Sequence, residues 1–474
     1  MKNKSILSFL LLTFSLSVAL VVPAFAQDST SDGVNVGTLP EAPTAANSTL
    51  FTTVMNGANE APTPNASTGR GFGRVVLNAA ETQITASFYW EGLGSNTSAG
   101  HIHEGAAGVA GPVRFDMTPA AGQTSGTAVD KVFTVTAAQV ATLRAGGMYF
   151  NIHSTNFPGG EIRGQLRAAP AKADYDGDGK SDYGVIRFGA QPNPNQVAWY
   201  IKFNGGGDTR QDWGLRSDII SPADYDGDGK EDITVWRSSP SPANFYILRS
   251  SDSTIRITPF GVPGDVPISR DYTGDGKADP AIYRSSTGAF WYLPSSGPFV
   301  GRPVDVPFGV VGGSTPDYPN PGDFNGDGKA DFCVVHNTGG TATFNIRYGT
   351  DQVGVSVPDT TTYFGRFTTD FAVSGDFDGD GKTDPALTRT EGGQFVWYYL
   401  PSTGGGYQRL AWGVPGDAQV PGDYDGDGKT DFAIWRGSQV SGATAFYVLG
   451  STSGFLFQQW GTFTDTPVNF DIFQ

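Results

Sequence analysis

Short apolar and aromatic runs recur along the chain and are separated by segments rich in glycine, aspartate and proline. Residues 233–236 (ITVW) and 433–435 (AIW) are typical of these runs. Each run is too short for a helix and is bounded by turn-forming residues, which predicts β-strands joined by tight turns. Only residues 6–22 approach the roughly 18 apolar positions that a membrane-crossing helix requires.

Six near-identical segments recur at intervals of 50, 47, 52, 53 and 47 residues. They are DYDGDGKSD from Asp174, DYDGDGKED from Asp224, DYTGDGKAD from Asp271, DFNGDGKAD from Asp323, DFDGDGKTD from Asp376 and DYDGDGKTD from Asp423. Each loop is followed by an apolar strand, an aromatic segment, an aromatic-glycine step and a short run that leads into the next loop, which makes four β-segments per repeat. Four strands in each repeat of about 40–50 residues are typical of a propeller blade. The repeat therefore predicts a β-propeller over residues 169–474.

The C-terminus bears on the number of blades. Residues 465–471 (DTPVNFD) align with residues 265–271 (DVPISRD), which lead into the third loop. The C-terminal segment thus has the pattern of a first strand with no loop after it. It could pair into the first blade, where residues 171–173 make a poor strand, and so remove exposed sheet edges. This closure favours six blades, and seven remain an alternative.

The acidic residues are concentrated in the six loops, which hold 22 aspartates, while the whole chain has 47 acidic residues. Like charges at this density repel one another unless a cation lies among them. Calcium takes six to eight oxygen ligands, and calcium loops supply them from positions 1, 3, 5 and 7, with glycine at position 6 for the turn. The pattern therefore predicts about six bound Ca²⁺ ions, and the aspartate at position 9 would complete each shell.

The predicted calcium ligands stand at positions 1, 3, 5, 7 and 9, with position 7 contributing its backbone carbonyl. They are Asp174, Asp176, Asp178, Lys180 and Asp182; Asp224, Asp226, Asp228, Lys230 and Asp232; Asp271, Thr273, Asp275, Lys277 and Asp279; Asp323, Asn325, Asp327, Lys329 and Asp331; Asp376, Asp378, Asp380, Lys382 and Asp384; and Asp423, Asp425, Asp427, Lys429 and Asp431. Position 12 is apolar in all six copies, whereas an EF-hand has glutamate there. Each loop is therefore expected to lead into a strand.

DxDGDGxxD loops followed by apolar strands at this period resemble FG-GAP/VCBS repeats, as found in the propeller of integrin α chains. The Phe-Gly steps at Phe260 and Phe308 match part of the family name. The resemblance covers residues 169–474. It implies that the calcium loop joins the first and second strands of each blade.

A smaller domain is expected over residues 48–168. Residues 51–54, 73–77, 84–90, 148–152 and 161–166 are strand candidates, and residues 136–145 fit a short helix, which together predict a β-sandwich. The segments AGHIHEG from Ala99, YFNIHS from Tyr149 and PGGEIRGQL from Pro158 resemble the CHRD domain, which is named from chordin and occurs in bacterial exported proteins. The resemblance implies an extracellular module rather than a particular reaction.

Three of the four histidines lie in this smaller domain. His101 and His103 are two residues apart, so in a strand they share one face. With His153 they are candidate ligands for Zn²⁺ or Cu²⁺, and the alternative is a structural role through hydrogen bonds. The His-Ile-His-Glu segment also resembles the copper segment of Cu/Zn superoxide dismutase, whose remaining ligands are not recognisable here. His336 stands where the other repeats have arginine and is expected to be structural.

The N-terminus has the pattern of an export signal. Basic residues, the apolar run at 6–22 and the AFA site at 24–26 predict a signal peptide over residues 1–26, followed by a linker over residues 27–47. The mature protein would be secreted, periplasmic or at the cell surface, with no membrane span. The formal charge of −16 argues against nucleic acid as a partner. Cys333, the only cysteine, lies in an apolar run and is expected to be buried.

These patterns favour an exported calcium-binding adhesion or interaction protein whose propeller presents a binding face to a protein or glycan ligand. Nearly every distinctive carboxylate belongs to a repeated loop, and general acid–base catalysis needs a singular constellation. No catalytic residue is therefore predicted, and the chain is not expected to be an enzyme. The alternatives are a propeller lectin and an extracellular enzyme, either a polysaccharide lyase or hydrolase or a redox enzyme using the histidines.

Overall fold

The computed structural model describes residues 49–78, 81–144, 146–168, 171–189, 194–296, 299–309, 317–326, 328–349, 360–440 and 442–468. The predicted signal peptide, the linker and Asp327 of the fourth loop lie outside these residues. The described part is built from strands, with one short α-helix and one 3-10 turn, which confirms the all-β class. None of its helices has the length and apolar character needed to cross a membrane.

The first domain is one antiparallel sheet of nine strands that curls on itself. Its elements are β1 (Thr49–Asn56), a 3-10 turn (Gly57–Asn59), β2 (Arg70–Leu77), β3 (Gln83–Glu91), β4 (Thr97–Glu104), β5 (Val113–Asp116), β6 (Gly126–Thr134), α1 (Ala137–Arg144), β7 (Met148–Ser154), β8 (Ile162–Gln165) and β9 (Arg167–Ala168). The strand order is β5-β4-β7-β8-β1-β2-β3-β6, with β9 also paired to β1. The rings of Phe115 on β5 and Phe133 on β6 lie 5.0 Å apart, so the two edges of the sheet approach each other.

The sandwich-like domain expected from the sequence is therefore a single sheet rolled into a near-barrel. Its core includes Phe51, Phe88, Trp90 and Phe150, and α1 adds Val140 and Leu143. The helix follows the predicted segment closely. Thr136 caps it, because the Gln139 N–H donates to Thr136 Oγ1 at 3.3 Å and the Thr136 N–H donates to Gln139 Oε1 at 2.9 Å.

The second domain is a propeller of six four-stranded antiparallel blades. Blade 1 contains β10 (Tyr183–Phe188), β11 (Gln196–Lys202), β12 (Asp208–Leu215) and the C-terminal β33 (Thr466–Pro467). Blade 2 contains β13 (Ile219–Ile220), β14 (Ile233–Arg237), β15 (Asn244–Leu248) and β16 (Ile255–Pro259), and blade 3 contains β17 (Val266–Pro267), β18 (Ala281–Arg284), β19 (Ala289–Tyr292) and β20 (Val304–Pro307).

The remaining blades repeat this order of one short and three longer strands. Blade 4 contains β21 (Tyr318–Pro319), β22 (Phe332–Thr338), β23 (Thr341–Arg347) and β24 (Thr360–Arg366). Blade 5 contains β25 (Phe371–Ala372), β26 (Ala386–Glu391), β27 (Gln394–Tyr399) and β28 (Gln408–Ala411), and blade 6 contains β29 (Ala418–Gln419), β30 (Phe432–Arg436), β31 (Ala445–Gly450) and β32 (Gly454–Gln459). First-strand residues of several blades line a central cavity.

The C-terminal strand closes the ring as predicted. In β33, Pro467 pairs with Val185 of β10 and Thr466 pairs with Ile186. The Val468 N–H then donates to the Gly184 carbonyl at 3.0 Å. Blade 1 is thus built from both ends of the propeller sequence, and the blade count is six.

The blades are held together by buried aromatic and aliphatic side chains at each junction. Ile186 and Trp199 of blade 1, for example, share a cluster with Val235 of blade 2. The aromatic-glycine steps add hydrogen bonds between blades. The indole N–H of Trp213 donates to the Tyr246 carbonyl at 3.0 Å, that of Trp412 to the Tyr447 carbonyl at 3.2 Å, and that of Trp460 to the Tyr200 carbonyl at 3.1 Å.

A charged pair recurs where the second strand of a blade passes the start of its first strand. The pairs are Arg187–Asp465, Arg237–Asp218, Arg284–Asp265, Arg389–Asp370 and Arg436–Asp417. In blade 4, His336 Nδ1 lies 2.6 Å from Asp317 Oδ1 and takes the place of the arginine, which agrees with the structural role expected of it. Cys333 is fully buried, as predicted.

Gly184→Ala should loosen the closure of the propeller, because the added methyl would lie 2.4 Å from Val468 Cγ2. Overpacking of this kind costs about 1–3 kcal/mol, so thermal unfolding should occur at a lower temperature. The double variant Gly184→Ala/Val468→Ala removes the opposing methyl groups. Its loss in free energy of unfolding should be smaller than the sum of the losses measured for the two single variants. Strict additivity of the two substitutions would show that these side chains do not meet at the closing strand.

Candidate functional site

Each acidic loop leads directly into the second strand of its blade, and it folds around its first aspartate. In the first loop, Asp174 accepts the N–H of Gly177 at 2.6 Å and that of Gly179 at 2.8 Å. The other five loops repeat this pair of hydrogen bonds at 2.5–2.8 Å. The loop backbone is therefore ordered by the carboxylate at position 1.

The aspartate at position 9 anchors the loop to the rest of its blade. Asp182 accepts the Tyr175 N–H at 2.8 Å within the loop and the Asn204 N–H at 2.8 Å in the turn after β11. In blades 2, 3, 5 and 6 a serine N–H replaces that of Asn204, and these serines are Ser250, Ser295, Ser402 and Ser451. The position-9 aspartates of these five blades are fully buried. Each loop is thus fixed against the turn between the third and fourth strands.

Position 4 of each loop requires glycine, because the backbone there is left-handed and a neighbouring side chain leaves no space for a Cβ. Gly177 has φ of +80° and Gly426 also has φ of +80°, in the left-handed region that glycine tolerates. The stem of the position-7 lysine from another loop lies over each of them. A Cβ on Gly177 would be 3.1 Å from Lys230 Cε, and one on Gly426 would be 2.8 Å from Lys180 Cε. The lysines therefore cover neighbouring loops instead of extending freely into water.

A backbone hydrogen bond joins every loop to the loop of the preceding blade. The N–H at position 8 donates to the carbonyl at position 1 of the preceding loop. The six bonds run from Ser181 to Asp423, Glu231 to Asp174, Ala278 to Asp224, Ala330 to Asp271, Thr383 to Asp323 and Thr430 to Asp376, at 2.6–2.7 Å. Because the bond from Ser181 joins the first loop to the sixth, the loops form a closed circle.

The structure brings the predicted carboxylates together in four of the six loops. One carboxylate oxygen from each of three aspartates lies within 4.8 Å of the others in these groups: Asp174, Asp176 and Asp178; Asp224, Asp226 and Asp232; Asp376, Asp378 and Asp384; and Asp423, Asp425 and Asp431. In the third loop Thr273 replaces one carboxylate, and in the fourth Asn325 does so and Asp327 is outside the described residues. These aspartate groups can hold metal ions such as Ca²⁺.

Burial and mutual repulsion make the ionised form of these groups costly. Burial raises the pKa of Asp174 to about 7, and the charges of Asp178 and Asp176 add to the rise. Burial together with the charge of Asp425 raises the pKa of Asp431 to about 8. The pKa of Asp376 is also raised to about 8, by burial first and by Asp384 and Asp380 after it. A bound cation would offset both burial and repulsion, because it stabilises the ionised carboxylates.

The sixth loop has a free carboxylate oxygen. Asp425 Oδ2 accepts hydrogen bonds from Thr452 Oγ1 and from the N–H groups of Thr452 and Ser453, at 2.9–3.0 Å. Asp425 Oδ1 is buried and finds no hydrogen-bond partner among the described residues. A buried acceptor without a partner is costly, and a cation in the aspartate group would satisfy it.

The three histidines of the first domain also come together. His101 and His103 on β4 and His153 on the adjacent β7 each offer a ring nitrogen within 4.8 Å of the others. His101 Nδ1 lies 3.1 Å from His153 Nε2. Burial is the main cause that lowers the pKa of His103, and it lowers that of His153 to about 4. Both imidazoles are therefore neutral near pH 7.

Sequence reasoning did not identify the serines that hold the position-9 aspartates or the hydrogen bonds between loops. A signal for the serines exists, since Ser250, Ser295, Ser402 and Ser451 stand 18, 16, 18 and 20 residues after their aspartate partners. The bonds between loops use backbone atoms alone. Position 8 holds Ser, Glu, Ala, Ala, Thr and Thr in the six copies, so no side-chain pattern marks it.

The fold and the two kinds of ligand group define the class of the protein. It has a curled β-domain with a histidine cluster, followed by a six-bladed propeller with aspartate loops. Residues 51–166 match the family model of the CHRD domain, so the first domain is a CHRD domain. No curated protein matches the chain. Among solved structures, the NanB sialidase from Streptococcus pneumoniae matches at 9% identity over 88% of this chain and 87% of that one, with a TM-score of 0.23. A similarity this low carries no argument about fold or function.

Without bound cations, the propeller should be more stable at pH 5 than at pH 8. Aspartates whose folded pKa is raised to about 6–8 favour the folded state at low pH and lose that contribution as pH rises through those values. A change of about 1 kcal/mol moves the melting temperature of domains of 150–250 residues by roughly 2–4 °C, so the summed effect of several loops should be measurable.

The measurement is thermal unfolding of metal-stripped protein from pH 5 to pH 8, with calcium-saturated protein as the control. Calcium binds ionised carboxylates, so its presence should abolish or reverse the trend. A metal-stripped protein that becomes more stable as the pH rises would contradict the charge repulsion inferred for the loops.

Proposed function

We propose that the chain is an exported calcium-binding interaction protein. Its propeller is of the FG-GAP/VCBS type, binds about six Ca²⁺ ions and presents a face to an extracellular protein or glycan. The observation that carries the proposal is the ring of six similarly folded loops, four of which bring three aspartates together among the described residues. The export pattern at residues 1–26 supports a secreted, periplasmic or cell-surface location.

Calcium fits the loops by chemistry and geometry. Its ligands are hard oxygens in a flexible shell. The loops offer aspartates at positions 1, 5 and 9, a carbonyl at position 7, and an aspartate, threonine or asparagine at position 3. In the sixth loop these are Asp423, Asp425, Asp427, Lys429 and Asp431. The loop backbone is ordered by its own hydrogen bonds, so a bound ion loses little affinity to ordering of the chain.

The bound ions would act chiefly on stability. Extracellular calcium modules bind with Kd of about 10⁻⁴–10⁻³ M. At calcium near ten times Kd, a site formed only in the folded state contributes roughly 1.4 kcal/mol. Six such sites would contribute roughly 8 kcal/mol, comparable with the stability of about 5–15 kcal/mol of an ordinary domain. Because the loops are bonded in a circle, each ion would also stabilise the two neighbouring junctions.

Binding rather than catalysis is favoured by the repetition of the acidic residues. Each loop aspartate serves the same purpose in several blades, whereas an active site needs one group that differs from its copies. A glycan-binding propeller is the second candidate, and exposed aromatic side chains on β32 favour it. Phe455 and Phe457 are 59% and 52% exposed, beside Tyr447. In contrast, Trp213, Trp412 and Trp460 are engaged in hydrogen bonds between blades.

Calcium titration by calorimetry should give about six sites in wild-type protein and one fewer in Asp425→Asn. This substitution keeps an acceptor for Thr452 and removes one charge from the sixth acidic group. With calcium, the variant should melt at a lower temperature than wild type, by roughly 2 °C for about 1 kcal/mol in a domain of this size. In chelator it should melt no lower than wild type, since repulsion has been relieved.

Asp417→Asn is the matched control, because Asp417 pairs with Arg436 outside the loops. It should lower the melting temperature to a similar extent with and without calcium and leave the stoichiometry unchanged. A stoichiometry of two or fewer in wild type, or an Asp425→Asn variant that is equally destabilised in both conditions, would reject the calcium assignment.

The proposed interaction is tested by probing arrays of glycans and extracellular proteins with the mature protein, in calcium and in chelator. A ligand that binds in calcium and is lost in chelator is expected. The variant Phe455→Ser/Phe457→Ser separates the two candidates, since it should abolish glycan binding only if β32 forms the binding face. Turnover of an arrayed polysaccharide, seen as released oligosaccharide, would contradict a purely binding function.

A further inference from the structure

Three imidazoles converge on the outer side of the CHRD sheet. His101 and His103 are alternate residues of β4, so their side chains lie on one face of the sheet, opposite to the buried Ile102. His153 comes from β7, the strand paired with β4. The ring centroids are 5.0 Å apart for His101 and His153, 5.5 Å for His101 and His103, and 5.8 Å for His103 and His153.

Backbone carbonyls determine which ring nitrogens are free to bind an ion. His103 Nδ1 lies 2.9 Å from the Gly111 carbonyl oxygen, and His153 Nδ1 lies 3.0 Å from that of Pro158. A carbonyl only accepts, so both Nδ1 atoms carry the hydrogen and both Nε2 atoms have an unshared electron pair. Metal-ligating histidines are held in this way by a partner on their other nitrogen.

One ring nitrogen of each histidine lies within 4.8 Å of one ring nitrogen of the other two. His103 is only 8% exposed, and its Nε2 is buried without a hydrogen-bond partner among the described residues. His153 Nε2 faces His101 Nδ1 at 3.1 Å. Two nitrogens bound at 2.0–2.1 Å to one tetrahedral zinc ion lie about 3.3 Å apart. An ion would thus take the place of the hydrogen between His101 and His153 with little movement, and that hydrogen would pass from His101 Nδ1 through solvent to His101 Nε2, which leaves the ring neutral.

We propose that His101 Nδ1, His103 Nε2 and His153 Nε2 bind one late first-row divalent metal ion. Imidazole suits zinc and copper, and Cu²⁺ binds a given nitrogen site more tightly than Zn²⁺. The site is therefore assigned to Cu²⁺, with Zn²⁺ as the weaker occupant. Three protein ligands leave a coordination position for water or another small ligand. The site is chemically distinct from the oxygen-rich loops of the propeller and does not depend on their occupancy.

Neighbouring side chains fix the orientation of the rings. The Tyr149 ring is stacked on His103, with centroids 5.0 Å apart and an angle of 13° between the planes. The Arg163 guanidinium lies 3.5 Å from the centre of the Tyr149 ring and donates to the Ala106 carbonyl at 2.9 Å. Ligands held by packing and hydrogen bonds before the ion arrives bind it with less loss of conformational freedom.

The test titrates the full mature chain, freed of transition metal and kept in excess calcium, with Cu²⁺ alone and with Zn²⁺ alone. One equivalent of each is expected, with Cu²⁺ bound at least about tenfold more tightly. The electron paramagnetic resonance spectrum of the copper form should show coupling to nitrogen ligands. His101→Gln should weaken Cu²⁺ binding at least about 100-fold, since a ligand is lost and second-shell changes alone cost 10–100-fold.

His336→Gln is the matched control, because His336 is the one histidine outside the site; it should keep wild-type copper binding. The metal-free His101→Gln protein should melt within about 2 °C of wild type, since among the described residues His101 has one side-chain hydrogen bond, to His153, and ring contacts only with His103 and His153. Absence of one tightly bound equivalent in wild type, or equal copper binding by His101→Gln and wild type, would overturn the assignment. Tighter binding of Zn²⁺ than of Cu²⁺ would overturn the choice of metal.

Discussion

The propeller depends on one backbone hydrogen bond that is repeated around a closed circle, from position 8 of each loop to the carbonyl at position 1 of the preceding loop. The aspartate at position 1 therefore contributes twice, with its carbonyl to the next blade and with its carboxylate to its own acidic group. The bond from Ser181 to Asp423 crosses the same junction that β33 closes by strand pairing. An ion bound in the first or sixth loop would consequently act on the junction where the two ends of the propeller sequence meet.

The charge of the loop aspartates is the second constraint on the structure. Asp174 accepts two backbone N–H groups, which favour its ionised form, yet burial outweighs them and raises its pKa to about 7. The loops are thus ordered for an ion but strained by their own charges when none is bound. A cation removes the repulsion and leaves the hydrogen bonds in place. This is why stability, rather than a change of shape, is the expected consequence of calcium in these loops.

Much of this architecture could be predicted because repeated residue types in the sequence specify it. The six loops, the strands after them and the closing segment at residues 465–471 all carry repeated residue types, and six blades with a C-terminal closing strand follow from them. The curled shape of the CHRD sheet did not follow. Its edge strand β5 spans only the four residues Val113–Asp116, and so short an alternation of apolar and polar residues is a weak signal in a sequence.

The candidate sites were likewise predicted only in part from the sequence. Spacing alone could place His101 and His103 on one face, because the strand period is two, but it could not bring His153 to them. That contact arises from the pairing of β4 with β7 across about fifty residues, where Ala99 lies opposite His153. The circle of hydrogen bonds between loops could not be predicted from the sequence for another reason, because any residue other than proline can supply the N–H at position 8.

The aspartate groups and the histidine cluster also differ in the source of their affinity for an ion. The loops gather anionic oxygens, so their affinity for an ion comes from relieved repulsion and is largest for a hard divalent cation that accepts many oxygens. The histidine cluster offers nitrogen donors, and its proposed affinity comes from rings whose orientation is held by the carbonyls of Gly111 and Pro158. Calcium has little preference for such nitrogens, and copper needs no shell of six oxygens. Donor type therefore favours calcium in the loops and copper at the histidines, so each proposed ion would prefer a different group.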